Sequence, residues 1–347
     1  MPRLSPPLPL PSSFPSPPRA CLRFAISTLL GVALLVALAL WGGVDFTELL
    51  ATLRRLSPLT FLAALAIHFA IYVARAERFR LLLPPASRPP RLGLLAVTSA
   101  HNLAVYVLPA KAGEATLPLY LGKAHGVGAA ESLASLIVSR LFDLAALSGS
   151  MALVTAILCA GEHWTAPISV GIALAAVLTL AAIGFTALAS RGDALIGPFQ
   201  ALSRRLGLAN TNLGRKLDAQ AESLKSSLRL AGHGSLRAGA LALSVLVWLL
   251  IFVFYGVLAL GFGLPDGVGF LHATFGSSVA VLMNLLPVNS FAGFGTQEAG
   301  WVLGFRAVGV APELSLPGAV GVHLVQLVDT ALFGLAGHVA MGLARRK

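Results

Sequence analysis

Glu114, Arg140, Asp143, Glu298 and Asp329 are the most expensively placed residues of this sequence. Each lies within or beside a long apolar run, and an ionisable side chain at the centre of a membrane helix costs roughly 2.5–3.5 kcal/mol on insertion scales. Such groups persist where they pair, carry protons or meet a polar cargo. Arg140 and Asp143 are three apart, share a helical face and can pair. Gln326 and Asp329 repeat that spacing near the C-terminus, with His323 one turn earlier. Lys111 and Glu114 flank Gly113 in one turn element, and Gln297 and Glu298 follow Gly293-Phe294-Gly295 in another. Asn102, Asn284 and Asn289 add uncharged hydrogen-bonding groups, and Pro109 and Pro287 free nearby carbonyls.

Plainer readings compete. The charges can pair merely to lock helices together, and a glutamate at a helix start can cap it. Gly122-x3-Gly126 and Gly300-x3-Gly304 suit close helix packing. His68, His101, His125 and His272 lack metal-ligand spacing, so no metal or other cofactor is expected. Cys21 and Cys159 alone exclude a disulfide framework and a cysteine-based zinc site.

The elements that carry these residues follow from composition. Of 347 residues, 56% are apolar and 11% charged, where a soluble domain carries about 25% charge. With a mean hydropathy of +0.83, the expected fold is all-α, a polytopic membrane protein. The runs lack the alternation of an outer-membrane barrel. The net charge of +11 sits in loops and at helix ends, as contacts with anionic headgroups require, so no nucleic acid is expected.

Eight long apolar segments stand out: 22–41, 59–74, 92–108, 132–160, 166–189, 238–262, 268–286 and 316–343. The first exceeds a signal-peptide core in length and reads as a retained span. Residues 1–20 form a Pro-rich tail expected to be disordered. Residues 22–189 form a first membrane half, 190–237 a basic cytoplasmic loop, and 238–344 a second half. In the loop, Leu213, Leu217, Ala221, Leu224 and Leu228 recur at helical spacing, as in an amphipathic helix on the inner leaflet.

Basic residues set the orientation. The stretches 75–91 and 190–237, the C-terminus and the N-terminal tail are rich in Arg and Lys and should all be cytoplasmic. Three long runs separate 75–91 from 190–237, and three more separate 190–237 from the C-terminus, so simple alternation fails. Each half needs one more crossing, or one run that dips in and returns. Both halves offer the same element: Asn, Leu-Pro, a glycine-containing turn, Glu, a short helix, Gly-Val, then a long helix with a polar residue three before an Asp. The expected architecture is about eight long hydrophobic helices plus two interrupted or re-entrant Pro/Gly–Glu elements. The repeat cores are about 102–147 and 284–335, and reversal of the chain would make the repeat inverted.

Residues 22–343 resemble the flippase-like integral membrane family, the transmembrane region of lysylphosphatidylglycerol synthases and its stand-alone members. The resemblance rests on Pro109-Ala-Lys111-Ala-Gly113-Glu114, Ser139-Arg140-Leu-Phe-Asp143, Pro287 and Gly293-Phe-Gly295-Thr-Gln-Glu298. Lys111 stands where the family usually has arginine, which keeps the charge and loses the bidentate fork. Ser139 stands where a glutamate often precedes the arginine, which leaves Arg140 to depend on Asp143. The resemblance implies translocation of a polar or anionic lipid across a bacterial inner membrane, with both termini cytoplasmic. The path would comprise Asn102, Lys111, Glu114, Arg140, Asp143, Gln297, Glu298, Gln326 and Asp329. Arg140 and Lys111 would contact phosphate; the carboxylates would pair, gate or couple protons. Partners would be membrane lipids with anionic or glycolipid headgroups, and an enzyme of lipid biosynthesis. No soluble aminoacyl-transferring domain follows residue 347, so lipid aminoacylation is not expected. With no Walker A, His-Glu-x-x-His or Gly-x-Ser-x-Gly motif, no catalytic residues are assigned and the chain is not expected to be an enzyme. Three alternatives stay open: a small-solute or ion transporter, an intramembrane lipid-modifying enzyme, and an accessory subunit of a hopanoid or glycolipid pathway.

Overall fold

The computed structural model describes residues 46–108, 112–161, 234–264, 268–285 and 291–344, with isolated positions between 176 and 225. No strand occurs among them. The helices are α1 (Phe46–Arg55), α2 (Pro58–Leu82), α3 (Arg91–Val107), α4 (Thr116–His125), α5 (Ala129–Gly161), α6 (Gly234–Gly261), α7 (Phe270–Leu285), α8 (Thr296–Ala307) and α9 (Pro312–Ala344). Four of these, α2, α5, α6 and α9, are long and apolar enough to cross a membrane. The runs 22–41 and 166–189 lie outside the described residues apart from isolated positions, so eight long helices are not reached among those described.

The two remaining apolar runs become shorter helices. At 17 and 16 residues, α3 and α7 span about 25 Å each, short of a 30 Å hydrocarbon core. Each is followed by a 3-10 turn (Ala112–Ala115, Phe291–Gly293) and a second short helix, α4 or α8. Both pairs fold back on themselves. A Cβ on Gly93 would meet His125, and one on Gly113 would meet the Val105 backbone, so α3 and α4 are antiparallel. A Cβ on Gly304 would lie 2.7 Å from the Gly276 carbonyl, and one on Gly300 2.7 Å from Ala280 Cα, so α7 and α8 are antiparallel too. Each Pro/Gly–Glu element therefore forms the turn of a helical hairpin.

The hairpins point in opposite directions. Helix α9 runs antiparallel to α3, with Gly334 against Leu103 and Gly337 against the Ala96 carbonyl. It also runs antiparallel to α8, through Glu298–His323 and Gln297–Gln326. Helices α7 and α9 thus share a direction that α3 opposes.

The glycine pairs differ from expectation in an informative way. Gly300 and Gly304 do bring backbones together. Gly126, at φ 68, instead ends α4 in the left-handed region with its N–H on the Gly122 carbonyl, and a Cβ there would meet nothing within 4 Å. Gly304→Val should push α7 and α8 apart and cost about 1–3 kcal/mol, whereas Gly122→Ala, whose new Cβ lies 3.6 Å from its nearest neighbour, should be neutral. Thermal melting of the two variants in detergent checks the contrast.

The outward faces of the long helices carry large apolar side chains, among them Leu62, Leu249, Leu335 and Val339. The interior instead holds small polar residues such as Ser148 and Thr155, whose hydroxyls donate to the carbonyls of Leu144 and Met151. Polar residues inside and apolar residues outside are what a lipid solvent selects. A core of Trp248, Phe254, Tyr255, Leu258, Trp301 and Phe305 joins α6 to α8. In the long loop, Ala221 is buried with Leu82, Val138 and Phe142, so that position packs on the protein. Leu213, Leu217 and Leu228 lie outside the described residues.

Candidate functional site

Helix α2 positions the first surprise. Ser57 caps its start by accepting the Thr60 amide, and Pro84-Pro85 follow its end, so the helix runs on to Leu82. Arg75 and Arg78 consequently lie inside α2 and not in the loop that follows it. They continue a face formed by Ala64, His68, Ile71 and Tyr72 that is turned into the bundle. Arg78 is 1% exposed.

What neutralises Arg78 is Asp143, midway along α5. The guanidinium donates to both carboxylate oxygens, at 2.5 and 3.0 Å, and to Ser244 at 2.9 Å. Trp248 of α6 donates its indole N–H to the same carboxylate at 3.2 Å. Arg140 does reach Asp143, at 3.4 Å, but its principal partner is Glu114. Its Nη2 donates to both Glu114 oxygens, at 2.8 and 2.9 Å. Glu114 sits in the 3-10 turn at the tip of the first hairpin and is 30% exposed, with Arg140 37% exposed. The expectation that Arg140 depends on Asp143 is corrected accordingly.

Neighbouring groups hold that tip in place. The Thr116 hydroxyl donates to the Gly113 carbonyl, so His101 Nδ1 donates to Thr116, and His101 Nε2 lies 3.8 Å from Glu114. Arg75 donates to Asn102 at 3.4 Å. Lys111 lies outside the described residues.

The electrostatic balance of this group is uneven. Three guanidiniums, of Arg75, Arg78 and Arg140, face two carboxylates, of Glu114 and Asp143. Among the described residues, the Nε groups of all three arginines and Asn102 Nδ2 are buried donors without an acceptor. Buried polar atoms are normally paired. Unpaired donors on a group with more guanidiniums than carboxylates are chemically suited to an oxyanion, and arginine forks match phosphate.

The second hairpin assembles a different group. Asn284 donates to Gln297 at 2.7 Å, and Gln297 donates to Gln326 at 2.9 Å. Gln326 in turn donates to the Tyr106 hydroxyl of α3 and accepts from Tyr255 of α6. These amides and phenols stitch the tip of one hairpin to the other. Glu298 accepts the Gly295 amide at 2.7 Å with one oxygen, the capping arm expected of a helix-start glutamate. Its other oxygen lies 2.5 Å from His323 Nδ1. Asp329 lies 3.1 Å from His68 Nδ1 of α2. Gln297, Glu298, His323 and Asp329 are each 2% exposed or less, so this group is sealed where the first is open.

The path residues expected from sequence thus fall into two groups, Asn102, Glu114, Arg140 and Asp143 in one and Gln297, Glu298, Gln326 and Asp329 in the other. His68 and His101 are not bystanders. His272 accepts the Gly269 amide ahead of α7. No group of three or more metal-ligating residues occurs among the described residues. Sequence reasoning missed Arg75, Arg78, Tyr106, Trp248 and Tyr255. For the two arginines a signal existed, the unbroken helical period from Ala64 to Leu82.

No curated protein and no solved structure matches the chain. A family model described as the lysylphosphatidylglycerol synthase TM region matches residues 22–334. That span takes in both hairpins and every residue of the two polar groups, and the chain belongs to this family of membrane proteins.

Proposed function

We propose that the protein moves a polar or anionic lipid between the leaflets of a bacterial inner membrane. The observation that carries this reading is the donor-rich cluster of Arg75, Arg78 and Arg140, which opens to the outside through Arg140, 37% exposed beside Glu114 at the tip of the first hairpin. A lipid phosphate supplies the missing acceptors. Family membership adds a lipid context. The interrupted helices supply a polar path through hydrocarbon, since broken backbone at membrane depth must be buried or line a cavity. No catalytic step is assigned to any residue.

Topology in this reading is that of an inverted repeat with two re-entrant hairpins. Six crossings, by the apolar run 22–41, α2, α5, the run 166–189, α6 and α9, return each basic stretch to one face. The first hairpin then enters from the cytoplasm and the second from the opposite side, with both termini cytoplasmic. Single cysteines at the exposed positions Lys123 and Arg306, at the outer ends of α4 and α8, should therefore be labelled from opposite faces. Labelling of both from one face overturns the arrangement.

The direct test of function is transbilayer movement of labelled lipids in proteoliposomes, with anionic, zwitterionic and polyprenyl-linked headgroups. Faster movement of the anionic class is the expected result. Folded protein that moves none of them overturns the reading.

A further inference from the structure

The two halves neutralise their corresponding carboxylates by different chemistry. Glu114 and Asp143 are matched by arginines, which keep their charge at any working pH. Glu298 and Asp329 are matched by His323 and His68, and Gln326 stands where the first half has Arg140. Histidine is the side chain that exchanges a proton near neutral pH.

Hydrogen-bond direction around His323 fixes a proton count. Its Nε2 faces the Ala292 carbonyl at 3.0 Å. A carbonyl only accepts, so Nε2 carries hydrogen. Its Nδ1 faces Glu298 Oε1 at 2.5 Å, while Oε2 accepts the Gly295 amide. If Nδ1 also carries hydrogen, the ring is an imidazolium; if not, Glu298 is a carboxylic acid donating to it. Either way the pair holds one proton more than a neutral imidazole beside a carboxylate. Without that proton two lone pairs would face each other in a site with no exposure to water, and the contact would open.

We propose that Glu298 and His323 form a proton-binding site whose occupancy holds the α7–α8 hairpin shut against α9. Resting on the translocase reading above, the same site couples lipid movement to a proton. The lever is the tip itself. Ala292, held by His323, has φ 52, and the Phe294 ring stacks on the imidazole at 4.6 Å. A non-glycine residue in that left-handed region stores strain that is released once the histidine lets go.

Other titratable groups on the surrounding elements leave this pair in charge of the tip. Helix α9 offers Asp329, bonded to His68 of α2; α6 and α3 offer Tyr255 and Tyr106, both bonded to Gln326; α7 offers His272, in its first turn. No arginine or lysine bonds to Glu298 or Asp329 among the described residues. The sign follows from linkage. The shut form holds one proton more than the open form, so low pH favours closure and the balance shifts at most tenfold per pH unit.

Glu298→Gln isolates the effect. Its oxygen still accepts the Gly295 amide and its NH2 donates to His323 Nδ1, so the variant mimics the protonated site at every pH. The experiment is amide hydrogen exchange of the full chain in nanodiscs from about pH 6 to about pH 9, with α2 peptides correcting for intrinsic rates. Protection over residues 291–298 should fall about tenfold or more in the wild type and stay constant in Glu298→Gln. Wild-type protection at 291–298 that merely parallels α2 across this range overturns the proton site, whatever the variant does. Proteoliposomes carrying an imposed pH gradient form the second arm. Lipid movement that ignores the gradient overturns the coupling and leaves translocation standing; no lipid movement at any pH overturns translocation, while exchange still decides the proton site.

Discussion

Replacing Asp143 by alanine is expected to cost about 3–5 kcal/mol, the largest loss from a single change in the described residues. The carboxylate takes two bonds from Arg78, one from Trp248 and one from Arg140. Removing it strands a guanidinium that is 1% exposed, with the Ser244 hydroxyl its one remaining acceptor among the described residues. A buried cation without its anion is far worse than no ion pair at all, since desolvation is then uncompensated. Arg78→Met combined with Asp143→Leu should therefore recover most of the loss. Thermal melting in detergent of the single and double variants checks this, and a double variant no more stable than Asp143→Ala would contradict the account.

Arg140 behaves in the opposite way. It is a third exposed, and Asp143 keeps Arg78 when Arg140 is gone. Arg140→Ala should consequently fold and melt much as the wild type does. It should lose the headgroup contact, and a charge-assisted bond worth roughly 1.5–3 kcal/mol corresponds to about a ten- to hundredfold drop in movement of anionic lipid. Arg140→Lys keeps the charge without the fork and should fall between the two. Zwitterionic lipids should be less affected. An Arg140→Ala protein that moves anionic lipid at the wild-type rate would remove the cluster from the path.

How much of this was legible beforehand depends on whether the cause is local. The carboxylates Glu114, Asp143, Glu298 and Asp329 announced themselves, because each stands in an apolar setting where its cost is a property of the run itself. The repeated order of Pro, Gly, Glu and a short helix was equally visible, and the structure adds that each such element is a hairpin. Arg75 and Arg78 look like loop residues in the sequence because positive charge near the end of an apolar run normally marks the cytoplasmic face. The partner that neutralises Arg78 lies 65 residues away, on another helix. No window along the chain registers it. Lengths failed for a related reason. The runs 92–108 and 268–286 look like spans by hydropathy, yet a turn stops each one and the next helix returns along it. Gly122 and Gly126 carry a packing motif, but α4 ends between them and the second glycine has become a cap.

The seam between the two hairpin tips has a mechanical consequence. Tyr106, Asn284, Gln297 and Gln326 are all uncharged, and each offers both a hydrogen to give and a lone pair to receive. Such groups can hand their bonds from one neighbour to the next during a shift, much as rungs change hands on a ladder. The displaced partner finds an equivalent one a few ångströms on, and no net charge is dragged through hydrocarbon. In the proposed translocation the charged clusters on either side would then act as detents that define resting positions, with this uncharged seam as a low-friction bearing between them.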